Sequence, residues 1–153
     1  MKITLLAIAK TKEKYLLSGM EEYIKRLKRY ATFNYKELTY KVKTEDRKTV
    51  LAKEQELIEQ HAKGSKIILF DEIGKEFTSV GFGKYIEKLS VGGHSNLTFI
   101  IGGAYGFSDE LKKKSFGMIS LSKMTFTHQM VRLLALEQIY RAFTIIKGEK
   151  YHH

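Results

Sequence analysis

Two short stretches hold most of the side chains that could do chemistry in this 153-residue chain: ISLSKMTFTHQMVR, from Ile119 to Arg132, and IIGGAYGFSDE, from Ile100 to Glu110. The first gathers Ser120, Ser122, Thr125 and Thr127 with Leu121, Met124 and Phe126, so small hydroxyls and free backbone groups alternate with apolar surface. That lining suits a flat, weakly charged heterocycle such as adenine, whereas a phosphate cradle would want more glycine. His128 follows at the start of a helix. An imidazole there is placed for proton transfer, and a hydrogen-bonded structural histidine is the alternative.

The second stretch sets a glycine-rich turn between a buried strand and a helix N-terminus, the place where ligands bind in open α/β sheets. It is not the dinucleotide fingerprint, which would require glycine where Ala104 and Phe107 stand, and no Walker A loop occurs. What remains is a sharp turn, either structural or offering its backbone to a ligand. Arg132 and Arg141 lie on an apolar final helix, where an unpaired charge is expensive. Glu137 precedes Arg141 by four residues and can pair with it, but no partner for Arg132 is visible, which points to an anionic ligand. His61 and His94 are isolated and cysteine is absent, so no metal site, disulfide or thiolate nucleophile is expected, in agreement with a reducing cytosol.

These residues need a scaffold. The length and the 43% hydrophobic content fit one compact domain. Apolar alternation and continuous apolar runs predict strands at 3–9, 33–40, 66–71, 97–101 and 118–121. Helical spacing predicts helices at 14–30, from a Thr44 cap to near Gly64, after a turn at Gly74-Lys75, at a short segment opened by Ser108, and from a Thr127 cap to Lys147. Strand and helix alternate, so the class is α/β, with a mainly parallel sheet and helices on both faces. The opening MKITLLAIA imitates a secretory signal but is too short, and no apolar run approaches the ~18 residues that span a bilayer. The final helix is apolar almost all round. At the edge of a monomer it would expose half of that surface, so a homodimer is expected.

The formal charge is +10, and between Lys10 and Lys43 ten bases face four acids. A polyanionic partner, nucleic acid before anionic membrane, is the functional reading, and a solvated lysine-rich surface is the bland one.

At full length the chain resembles the ribosomal large-subunit methyltransferase H family. The segments MKITLLAIAK, ILFDEIGKEFTS, IIGGAYG, LSKMTFTHQMVR, EQIYRAF and GEKYH carry the likeness, and the last three in that order are the most specific. The resemblance implies a SPOUT-class enzyme, a cytoplasmic homodimer with a C-terminal deep trefoil knot, that takes methyl groups from S-adenosylmethionine. Its implied reaction is N3-methylation of a pseudouridine in the helix 69 hairpin of 23S ribosomal RNA on assembled ribosomes, without metal or membrane. Leu121, Ser122, Lys123, Met124, Thr125 and Phe126 would then be the knot loop around the adenine, with Phe70, Gly102 and Gly103 as further cofactor contacts. His128, His152 and Tyr151 would serve catalysis, the tail acting on the partner subunit's site, and Arg132, Arg141, Lys10 and Lys12 would hold RNA. Family members usually carry leucine in place of Phe70 and proline in place of Thr127. An N-cap threonine should preserve the helix start. A SPOUT enzyme for transfer RNA and a non-catalytic ribosome-binding protein are the alternatives.

Overall fold

The computed structural model describes residues 1–153 and alternates strand and helix throughout. The elements are β1 (Lys2–Ile8), α1 (Lys14–Leu27), β2 (Thr32–Leu38), α2 (Arg47–His61), β3 (Lys66–Glu76), α3 (Ser79–Val91), β4 (Asn96–Ile101), α4 (Asp109–Lys114), β5 (Gly117–Ser120) and α5 (Met130–Ile146). The strands form one sheet in the order β2-β1-β4-β3-β5, and every pairing is parallel. Because side chains alternate across a strand, Ile3, Leu5 and Ala7 of β1 join the core that α1, α3 and α5 cover. Leu6 and Ile8 join the core under α2 and α4. Burial on both faces is why these strands read as unbroken apolar runs.

Three expectations change. The Gly74-Lys75 pair is not a turn but lies inside β3, where the register against β5 shifts: Phe70 and Lys75 both stand opposite Ile119. The intervening residues bulge outward. Gly74 is needed because a Cβ there would come within 2.6 Å of the Ile119 backbone nitrogen. The cap of α2 is Asp46, whose carboxylate accepts from the Thr49 N–H, while Thr44 accepts from the Asp46 N–H. Finally, α5 does not leave half of its apolar surface bare. Ala135, Leu136, Ile139, Ala142 and Phe143 are buried against α1 and α3, and only Met130 and Leu134 among its apolar residues are exposed. The apolar strip left for a partner is therefore narrower than the helix's composition implied.

This helix begins at Met130, with Gln129 at its cap position rather than Thr127, although the Met130 N–H still donates to Thr127 Oγ1 at 3.1 Å. Strand β5 lies at the sheet edge, whereas α5 packs near the middle. The segment between residues 120 and 130 therefore crosses back over the C-terminal ends of the strands. That crossing builds the site.

Candidate active site

A cleft of about 550 Å³ opens at the C-terminal ends of β3, β4 and β5. One wall is the turn after β4. A Cβ on Gly102 would lie 2.9 Å from the Gly106 carbonyl oxygen, Gly106 itself has φ +69°, and the Gly106 N–H closes onto the Gly103 carbonyl at 3.1 Å. Larger residues could not make so tight a turn. A second wall is the bulge of β3, with Asp71, Glu72 and Ile73. The third is the segment that crosses over, and here its composition finds its reason. Ser120 Oγ donates to the Ser122 carbonyl (2.9 Å), Ser122 Oγ accepts from the Met124 N–H (3.0 Å), and Thr125 Oγ1 donates to Glu72 (3.1 Å). The hydroxyls hold the loop in shape, and its apolar members line the space: Leu121, Met124 and Phe126 all border the cleft.

Of the residues that the resemblance implies, Phe70, Gly102, Gly103, Leu121, Ser122, Met124, Thr125, Phe126 and His128 line the cleft. Lys123 is not among its lining residues and is exposed. Sequence reasoning missed Asp71, Glu72, Tyr105, Lys112 and Arg47. The first two had a signal, since they directly follow the buried run of β3 and so must sit at a strand's C-terminal end. Arg47 and Lys112 had none. Lys112 lies 3.6 Å from Asp71, and Tyr105 donates to the Glu45 carbonyl at 3.0 Å, tying the glycine turn to the approach of α2. Behind the turn, buried Glu54 packs against Gly103 and accepts from the Tyr40 hydroxyl at 2.6 Å. Burial pushes its carboxyl up.

His128 stands at the rim, and burial, aided by the nearby Arg132 charge, holds its imidazole below the ordinary value of 6.5. A neutral ring that can accept a proton at neutral pH follows.

Arg132 corrects the sequence reading. Its exposure is 0%, and its guanidinium donates to the carbonyls of Ile8 (2.7 Å) and Ala9 (2.9 Å) and to Thr11 Oγ1 (2.7 Å). Glu37 lies 3.3 Å away. The missing partner was a set of carbonyls and a carboxylate on distant strands, so this arginine is closed to RNA. Arg141 pairs with Glu137 at 2.6 Å, as its spacing suggested, and also meets His152 Nδ1 at 3.3 Å. The Tyr151 hydroxyl donates to Glu137 at 3.0 Å and lies 3.1 Å from the Tyr23 hydroxyl. Neither Tyr151 nor His152 lines the cleft of its own chain. Lys10 and Lys12 are exposed, and the Lys12 N–H donates at 2.9 Å to Oε1 of Gln129, the residue after His128. No three histidine or carboxylate side chains stand close enough to hold a metal ion, and no helix is long and apolar enough to cross a membrane.

Residues 1–152 match the family model described as "Predicted SPOUT methyltransferase". The chain is 52% identical to the ribosomal RNA large subunit methyltransferase H of Cytophaga hutchinsonii, covering 100% of both chains. It is 45% identical to the enzyme of that name from Halothermothrix orenii, covering 99% of both. Among solved structures, a probable methylase family protein from Haemophilus influenzae Rd KW20 aligns with 99% of this chain and 70% of that one, at a TM-score of 0.53 and 10% identity. That likeness concerns the fold.

Proposed function

The chain belongs to the SPOUT methyltransferase family and is an S-adenosylmethionine-dependent enzyme, and from that premise we propose that it methylates N3 of a pseudouridine in the helix 69 hairpin of 23S ribosomal RNA. It acts on assembled ribosomes in the cytoplasm, as a homodimer with a C-terminal trefoil knot. The observation that carries this reading is the cleft itself, with the glycine turn on one side, the residue 121–126 loop on the other and His128 at the rim. The full-length relatives named for large-subunit RNA support the choice of substrate.

The residues present fit the cofactor. Phe70, Ile101, Ile119, Leu121 and Val131 give apolar walls, the two backbone turns give hydrogen-bonding groups, and the volume falls within the ~300–1,000 Å³ usual for ligand clefts. Asp71 and Glu72 add carboxylates suited to a ligand that carries ammonium and sulfonium charges. Bound there, S-adenosylmethionine supplies a methyl group on positively charged sulfur. The chain aligns the two reactants, which is the larger share of the task. His128 accepts the N3 proton on its imidazole as the methyl group arrives.

The tail completes the site in trans. Met130, Leu134, Glu137, Gln138 and Arg141 share one face of α5, which runs from the rim of the cleft to the residues that hold Tyr151 and His152. Two copies related by an axis normal to this helix would pack antiparallel. The tail of one subunit would then approach the His128 end of the other, with Arg141 on RNA phosphate.

The test is transfer of labelled methyl from S-adenosylmethionine to whole ribosomes, separated subunits and transfer RNA in parallel. Label in 23S RNA of whole ribosomes is the expected result. Label in transfer RNA alone would assign a different substrate, and ribosome binding without cofactor affinity would mark a non-catalytic protein.

A further inference from the structure

Beyond the charge it places near His128, the polar node around Arg132 joins three pieces of chain. Arg132 is a wholly buried side chain whose guanidinium holds the end of β1 through Ile8 and Ala9, reaches Thr11, and meets the His128 carbonyl at 3.3 Å. Glu37 on β2 accepts from the Thr11 N–H (3.1 Å) and hydroxyl (2.6 Å). Between them Ala9 takes φ +71°, a left-handed conformation in a residue with a Cβ, which lasts only where the surroundings over-determine it. The chain then alternates. Thr11 points into the node, while Lys10 and Lys12 stand in solvent. Gln129 Oε1, next to His128, accepts from the N–H groups of Lys12 (2.9 Å) and Glu13 (3.4 Å).

Stability alone does not call for this arrangement, because a buried ion pair can often be replaced by apolar side chains at no cost. What the charge adds is a fixed position for the residues after Ala9. We propose that Arg132 is a positioning residue for the RNA: it fastens the end of β1 to the turn carrying His128, so that Lys10 and Lys12 meet phosphates beside the base to be methylated. The proposal rests on the reading of this chain as a ribosomal RNA methyltransferase. A pre-set pair of lysines binds more tightly than a mobile pair, since less freedom is lost on association.

The experiment is a double-mutant cycle on full-length protein, with ribosome affinity measured by sedimentation, kcat/KM by methyl transfer, and affinity for S-adenosylmethionine by calorimetry. The variants are Lys10→Ala with Lys12→Ala, Glu37→Gln, and all three together, with Thr11→Val replacing Glu37→Gln if the latter fails to fold. The lysine pair is expected to weaken ribosome binding about tenfold at low salt, in line with two lost phosphate contacts. Glu37→Gln should weaken it several-fold with cofactor affinity kept within twofold, and the triple variant should be no worse than the lysine pair. Additive losses, or an equal fall in cofactor affinity, would overturn the proposal by making the node a support of the fold only. Wild-type protein that binds ribosomes but transfers no methyl would overturn the enzymatic reading, and the binding cycle would still judge the node. Wild-type protein that does neither would overturn both.

Discussion

Arg132 and Arg141 sit on the same helix, and the family resemblance implies RNA binding for both, but the fold uses them in opposite ways. One is sealed among carbonyls and a carboxylate of its own chain, and the other has a side chain one-quarter exposed beside Glu137 and the tail. They lie nine positions apart (141 − 132), about two and a half turns at 3.6 residues per turn, so α5 points them to opposite sides. An inward charge is committed to the partners that make its burial tolerable. An outward one stays available for exchange with a ligand.

That contrast can be broken most directly by removing each charge. Arg132→Met leaves Glu37 and two carbonyls without their partner and is expected to cost about 3–5 kcal/mol in urea unfolding. Arg141→Ala should cost less, about 1 kcal/mol, because its pair with Glu137 is partly exposed and Glu137 keeps the Tyr151 hydroxyl as a donor. Equal costs would mean that the two ends of the helix do not differ as described. His128→Gln sharpens the functional side: kcat should fall at least ~100-fold with little change in stability. Wild-type activity should fall as pH drops through the His128 pKa, which lies below 6.5, because the imidazole must be unprotonated to accept a proton. The Gln variant should lack that limb of the profile.

At the opposite end, Tyr151→Phe removes a hydroxyl that bonds Glu137 and Tyr23, and an unfolding loss of about 1 kcal/mol is expected. The smallest effect is in the pH dependence of the Arg132 node. Burial alone would raise the Glu37 carboxyl, but hydrogen bonds from Thr11 and Tyr35 and the Arg132 charge outweigh it and hold the pKa below 4.5. A depressed carboxylate stabilises the fold above its unfolded pKa, and that contribution is lost as pH falls through the folded value. The stability gap between wild type and Glu37→Gln should therefore be steady above about pH 5 and close on acidification.

The strands, their parallel class and both turns of the cleft were legible because they rest on local signals: apolar runs, a glycine cluster and the cap at Ser108. The β3 bulge was not, since Gly74 marks a close approach to Ile119, a residue far along the chain. Lys123 looked like its neighbours in the loop but is exposed and does not border the space they line, because a loop's composition does not set the place of each side chain.

The sequence by itself determined the alternation of elements, the charge, the place of the glycine turn and, through the family resemblance, part of the cleft lining: Phe70, Gly102, Gly103 and most of the residue 121–126 loop. Only the tertiary structure decided which polar groups are spent inside the molecule and which remain free. Arg132 found its partners on β1 and β2, and Tyr151 and His152 settled away from the cleft of their own chain. A buried charge is satisfied by whatever backbone the fold brings to it, and those contacts lie between segments far apart in the chain, where periodicity and spacing carry no information.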